Sequence, residues 1–181
     1  MAKEKERLLD AYLVASARLG DDRAFGMLVR RWHAKLLAHA WRLLRDQELA
    51  RDAVQDGWAE IIRGLSRLHE EGAFGTWAYR IISRRCARQI GRMRAERMLS
   101  AAIAAEPAEV ATAEPPLADV EALQRAMRTL PPEQQASLAL FYLEGMNVAE
   151  VAVALNVPAG TVKTRLMHAG RSMRSVFEGD E

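Results

Sequence analysis

The sequence predicts an all-α protein: two small helical domains joined by a flexible linker. Three observations carry that expectation. Apolar residues recur at spacings of three and four along the chain, and no strand-like alternation interrupts them. Between residues 100 and 119 the composition turns to Ala, Glu and Pro, with Glu106, Glu109, Glu114 and Asp119 and no basic residue. Finally, Asn147 to Met173 reads as two short helices about a tight turn. The expected division is a helical bundle over 1–99, the acidic linker over 100–119, and a second domain over 120–181.

The bulk properties exclude more than they indicate. A chain of 181 residues, half of them hydrophobic, suits one or two globular domains with modest cores. A net charge of +2 is nearly neutral, so only the distribution of charge can point to a partner. Cys86 is the single cysteine, which rules out an intrachain disulfide and a thiolate cluster, and fits the reducing cytoplasm. Lys3, Lys5 and Arg7 before LLDAYLVASA imitate an export signal, but Asp10 interrupts the apolar run and Glu4 and Glu6 cancel the basic flank. No stretch approaches the ~20 apolar residues of a membrane span, so no direct membrane insertion is expected.

Taken in order, residues 5–19 form a first helix with Leu8, Leu9, Tyr12, Ala15 and Leu19 along its apolar side and Gly20 to end it. Asp21-Asp22 caps a longer second helix whose stripe is Phe25, Val29, Trp32, Leu36, Ala40 and Leu43, with Trp32 and Trp41 as core aromatics. Asp46 caps a third, striped by Val54, Trp58, Ile61 and Leu65. Off that stripe lie Asp52, Gln55, Asp56 and Glu60, either a solvated face or a docking face for a basic partner.

The fourth helix, FGTWAYRIISRRCARQIGRMRAER, is more informative. Ala78, Ile82, Cys86 and Ile90 make an apolar line, while Arg80, Arg84, Arg88 and Arg92 run about 200° away on the opposite side. Seven basic residues face one acidic residue between Arg80 and Arg97. With Phe74 and Trp77 at its start, the helix pairs phosphate-binding cations with rings on which unpaired bases can stack. The alternative is that both rings are buried and the arginines only solubilise.

After the linker, Val120, Leu123, Met127 and Leu130 give a short amphipathic helix. Pro131-Pro132 stops it and starts another, with Leu138, Phe141 and Tyr142 inward and Gly145 at its end. Asn147 and Glu150 form a capping-box start for a helix carrying Val148, Val151, Ala152 and Leu155, and Asn156-Val157-Pro158 breaks it. The following helix buries Val162, Leu166, Ala169 and Met173. Its other side presents Gly160, Thr164, Met167, His168 and Arg171, flanked by Thr161 and Lys163, with no acid among them. Such a helix fits a major groove, with Lys163, Arg165, Arg171 and Arg174 reaching phosphates.

Catalytic chemistry is not in view. His33, His39, His69 and His168 are scattered, and neither Ser83, Ser137 nor Cys86 has a nucleophile's context. The pattern is that of a protein that binds rather than catalyses, with no metal and no cofactor implied.

Two segments resemble a known family. LPPEQQASLALFYLEGMNVAEVAVALNVPAGTVKTRLMHAGRSMR is similar to region 4 of the extracytoplasmic-function class of bacterial sigma-70 factors. DAVQDGWAEIIRGL with FGTWAYRIISRRCARQIGRMR resembles region 2 of the same class, in the expected order. The resemblance implies a dissociable, non-enzymatic initiation subunit that brings core RNA polymerase to promoters and helps to open them. It implies polymerase docking through Asp52, Gln55, Asp56 and Trp58, which favours the docking reading of the acidic face. It further implies −10 contacts through Phe74, Trp77, Arg80, Arg84 and Arg88, and −35 contacts through Thr161, Lys163, Thr164, Arg165, His168 and Arg171. By the same resemblance the linker threads toward the polymerase active-centre cleft, and an anti-sigma factor wedges between or wraps the two domains.

Family members often have Asn where Arg84 stands and Asp near Gln89, so the basic run SRRCARQ leaves −10 base preference open, as do inducing signal, regulon and inhibitor identity. The other readings of the same residues are a helix-turn-helix regulator that acts without polymerase, or a sigma mimic that sequesters an anti-sigma factor.

Overall fold

The computed structural model describes residues 2–101, 127 and 129–178, and every regular element among them is helical. The acidic linker and most of the helix expected from Val120 lie outside the described residues.

Helix α1 (Ala2–Arg18) turns a different face inward from the one its leucines suggest. Leu13 and Val14 are buried, whereas Leu8 and Tyr12 are two-thirds exposed and Leu19 almost wholly so. The rotation is set by a charge: Asp10, 7 % exposed, accepts from Arg31 Nε at 2.9 Å and brings Leu13, Val14 and Ala17 with it at helical spacing.

Helix α2 (Asp22–Leu44) begins where the Asp21 carboxylate accepts from the N–H groups of Arg23 and Ala24. It is the spine of the bundle and buries Leu28, Trp32, Leu36, His39 and Ala40. Trp41 is not a core residue: it is 38 % exposed, with the Arg45 guanidinium 5.6 Å from its ring centre. Helix α3 (Gln47–Gly64), capped by Asp46, buries Val54, Trp58 and Ile61, and Leu65 follows in a short 3-10 turn. After a second such turn at Glu71–Ala73, helix α4 (Phe74–Ala101) returns through the bundle.

The Trp32 ring meets Phe74 and Tyr79 edge-on at 5.5 and 5.7 Å. Gly75 is needed beneath it, since a β-carbon there would run into the indole, whose Cζ2 lies 3.0 Å away. His39 is fully buried, with Nε2 2.9 Å from Ser83 Oγ. Burial, with Arg42 as a smaller cause, holds its pKa down at about 3.

In the C-terminal part, helix α5 (Pro132–Leu138) runs into a π-helical segment, Ala139–Leu143. The wider turn corrects the expected inward face. Leu140 and Ala139 are buried, Leu138 and Phe141 only half-buried, and Tyr142 is 69 % exposed, because the extra residue per turn rotates the last side chains outward. Helix α6 (Val148–Leu155) carries the reciprocal Asn147–Glu150 capping box and ends on left-handed Asn156 at φ 55°. Helix α7 (Ala159–Glu178) follows after Pro158.

The helix-turn-helix is docked on the bundle, with α6 along α4 and α5 against α2. Leu140, Met146, Val151, Ala154 and Val162 join the same apolar cluster as Trp32, Tyr79 and Ile82.

Candidate nucleic-acid interface

The expected recognition face is open. On α7, Val162 and Ala169 are buried and Leu166 half-buried, which turns Lys163, Thr164, His168 and Arg171 to solvent; Thr161 and Arg165 sit at the rim. Thr164 is exposed and its hydroxyl donates back to the Gly160 carbonyl at 3.0 Å, which holds the side chain in one rotamer. The capping box, the left-handed Asn156 and Pro158 set the turn between α6 and α7, and buried Val151, Ala154 and Val162 pack the two helices together.

The arginine stripe of α4 is present, with Arg80, Arg84 and Arg88 exposed opposite buried Ala78, Ile82 and Cys86. The two aromatic residues part company. Phe74 is fully buried against Trp32 and offers no ring to a base, whereas Trp77 stays half-buried. Trp77 lies over Gly64, where a β-carbon would come within 2.9 Å of its ring, and so forms one wall of an open groove of roughly 640 Å³ between α3 and α4. Arg63, Arg67, Arg80 and Arg84 line this groove. Arg63 and Arg67, four residues apart, fall across the end of α3 and the turn after it and so outside the α4 stripe. They join the site because Gly64 and the 3-10 turn bring the end of α3 against the start of α4.

The acidic face of α3 divides as well. Asp52, Gln55 and Asp56 are exposed, but Trp58 is 9 % exposed, packed edge-on to Phe25 at 6.1 Å, with its indole N–H buried. Trp58 belongs to the core stripe and cannot meet a partner directly. Asp56 and Glu60 face α4. Arg85 donates to Glu60 Oε2 from Nη2 at 2.8 Å and from Nε at 3.1 Å, and to Asp56 from Nη1 at 3.2 Å, while Arg84 is also ion-paired to Glu60.

A third set of contacts, unseen in the sequence, joins the two halves of the chain. Glu144, just after the π segment, accepts from Lys35 Nζ at 2.9 Å and lies near Tyr79 and Arg42. Burial and then the Glu144 carboxylate push the Tyr79 pKa far up. Arg7 is ion-paired to Glu150, Arg45 donates to the Leu130 carbonyl at 3.2 Å, and Arg80 donates to Asn156 Oδ1 at 3.4 Å. The turn of the helix-turn-helix therefore touches the first arginine of the α4 stripe. Among the described residues no group of His, Cys, Asp and Glu is placed to hold a metal ion, and no helix is long and apolar enough to cross a membrane.

Comparison with known proteins agrees with this geometry. The family profile of Sigma-70 region 2 matches residues 28–96, and that of Sigma-70, region 4 matches residues 120–173. The ECF RNA polymerase sigma factor SigM of Mycobacterium tuberculosis is 34 % identical over 88 % of this chain and 80 % of its own length. The RNA polymerase sigma-H factor of Pseudomonas aeruginosa is 30 % identical over 93 % of this chain and 94 % of its own. Among solved structures, the sigma factor RpoE of Bartonella quintana, in complex with the anti-sigma factor NepR, aligns with TM-score 0.68 at 19 % identity over 87 % of this chain and 98 % of that one. CnrH, in complex with the cytosolic domain of CnrY, aligns with TM-score 0.64 at 23 % identity over 96 % of this chain and 99 % of that one.

Proposed function

The chain belongs to the extracytoplasmic-function class of the sigma-70 family, and from that membership and its surfaces we infer a cytoplasmic, non-catalytic initiation subunit that directs core RNA polymerase to promoters. An anti-sigma factor controls it, as the partners of the similar folds suggest. In this reading α7 reads the −35 element through Thr164 and His168, while Lys163, Arg165 and Arg171 hold phosphates and Thr161 packs at the rim. Helix α4 holds the melted −10 strand along Arg80, Arg84 and Arg88, with Trp77 as the stacking surface. Asp52, Gln55 and Asp56 dock on polymerase, and Trp58 supports them from beneath. Phe74 acts only by fixing the start of α4.

The observation that carries the reading is the groove. Four arginines beside a half-exposed indole suit a strand whose bases are unpaired, which a duplex-only regulator does not need. A consequence follows from distance. By their numbering the two promoter elements lie about 25 base pairs apart, or ~85 Å along B-form DNA. With α7 spanning 20 residues, ~30 Å, and a three-residue turn before it, no part of α7 lies more than about 40 Å from Arg80 while Asn156 touches it. The docked arrangement cannot engage both elements, so the helix-turn-helix has to leave the bundle before a promoter is bound.

The test is transcription in vitro with core polymerase on a genomic library, with permanganate footprinting of melted thymines. The parent should give discrete start sites. Arg84→Gln with Arg88→Gln, which places no carboxylate beside Glu60, should keep core binding but lose most promoter opening. Equal opening by the variant would reduce the stripe to a solvated face.

A further inference from the structure

We propose that Glu60 and Asp56 neutralise Arg84 and Arg85 in the free protein, and that polymerase taking over the two carboxylates releases the two guanidinium groups to the DNA strand. The inference rests on the reading that α3 docks on polymerase and α4 holds DNA.

Three features of the α3–α4 junction support it. First, Glu60 is the one carboxylate among the described residues lining the arginine groove, and it accepts from both Arg84 and Arg85. An anion in that position competes with a DNA phosphate for the same donors. Second, Asp56 binds Arg85 from its other side while its own side chain stays 68 % exposed, so it is open to a second cation without any repacking. Third, the four groups sum to zero charge. The most basic stretch of the chain is thus partly neutralised at Arg84 and Arg85, each of which has a local counter-ion on α3.

Exchange of partners then couples the two surfaces. A cationic surface of polymerase set against α3 draws Asp56 and Glu60 toward itself, Arg84 is left without its counter-ion in the groove beside Arg80, and Arg85 is left to pair with phosphate. Because coupling is reciprocal, bound single strand must also tighten the hold on polymerase by the same factor. The arrangement makes the strand-holding site weak in the free protein and strong in the complex, with no change of fold.

The experiment uses the full chain and a short fluorescein-labelled single-stranded oligodeoxynucleotide, titrated over a range of salt, with and without saturating core polymerase. Glu60→Gln removes the shared counter-ion at constant size. The free variant should bind the strand roughly fivefold tighter at low salt. Its slope of log K against log salt should be steeper by roughly 0.7, the contribution of one released cation on single-stranded DNA, since Asp56 still pairs with Arg85. Asp56→Asn, on an exposed side chain, should give a smaller change of the same sign. Adding core polymerase should tighten strand binding more for the parent than for Glu60→Gln. Thermal melting confirms that both variants are folded. Equal salt slopes for parent and variants, or equal tightening by core, would overturn the exchange. A parent that does not bind core at all would overturn the sigma reading itself, and the exchange with it.

Discussion

Tethering the helix-turn-helix to the bundle should abolish promoter use while leaving both binding surfaces intact. Arg7 and Glu150 form an exposed ion pair across the seam; replacing both by Cys removes that pair, about 0–1 kcal/mol, and the capping-box bond from Asn147 N–H to Glu150, about 1 kcal/mol, but keeps the Asn147 side-chain cap on Glu150 N–H. A short, reducible bis-maleimide linker would then join α1 to α6. The native thiol should not interfere: Cys86 is fully buried, and burial pushes its pKa up to about 12.

The magnitude comes from lengths. The docked form keeps α7 within about 40 Å of Arg80, and the promoter demands ~85 Å, so the halves must separate by about 45 Å. The chain between Ala101 and Met127 permits this, reaching at most about 90 Å when extended. A linker spanning an ion pair does not. Runoff transcription with core polymerase should therefore fall to background in the tethered protein and return to the parent level on reduction, with the untethered double variant unaffected. Tethered protein that initiates normally from both elements would refute the distance argument and with it the docked form as an inactive state.

Two further predictions address single residues. Lys163→Ala should weaken all promoters alike and flatten the duplex salt slope by about 0.9, whereas His168→Ala should relax preference at one base pair by about 1–3 kcal/mol, both read by binding to a library of −35 variants; identical effects would contradict the division between phosphate and base contact. His39 should make the fold acid-sensitive: its folded pKa of about 3 lies below the ordinary 6.5, so the unfolded chain binds the extra proton and stability, complete above pH 6.5, falls as pH drops toward 3. That loss should be about 1 kcal/mol at pH 5.5 and about 3 kcal/mol at pH 4.5, seen in urea melts as the difference between the parent and His39→Gln; parallel pH profiles would refute it.

What could be read from the sequence was what local chemistry decides. The caps at Asp21, Asp46 and Asn147 and the period-four arginines of α4 follow from neighbours a few residues away, and the structure keeps them. Helix α1 shows where this fails. Leu8, Leu9, Tyr12, Leu13 and Val14 supply apolar residues to more than one side, and the face that wins is chosen by the Asp10–Arg31 pair, 21 residues apart. Tyr142 turns outward for a related reason, since ideal helical spacing does not anticipate a π turn. Phe74 and Trp77 look alike as aromatics at a helix start, and only Trp32 above one and Gly64 beneath the other separate a core ring from a groove wall.

The same distinction explains Arg84. On its own helix it is one more member of a cationic stripe, which reads as phosphate affinity. Placed 24 residues from Glu60 in sequence but ion-paired to it in the fold, the added charge is held back until something else takes the carboxylate. A cation held by a counter-ion separates the free from the bound state, because the pair contributes little in water and the phosphate contact appears only after exchange. The basic run SRRCARQ therefore bears on when the strand is held rather than on how strongly the isolated protein attracts DNA.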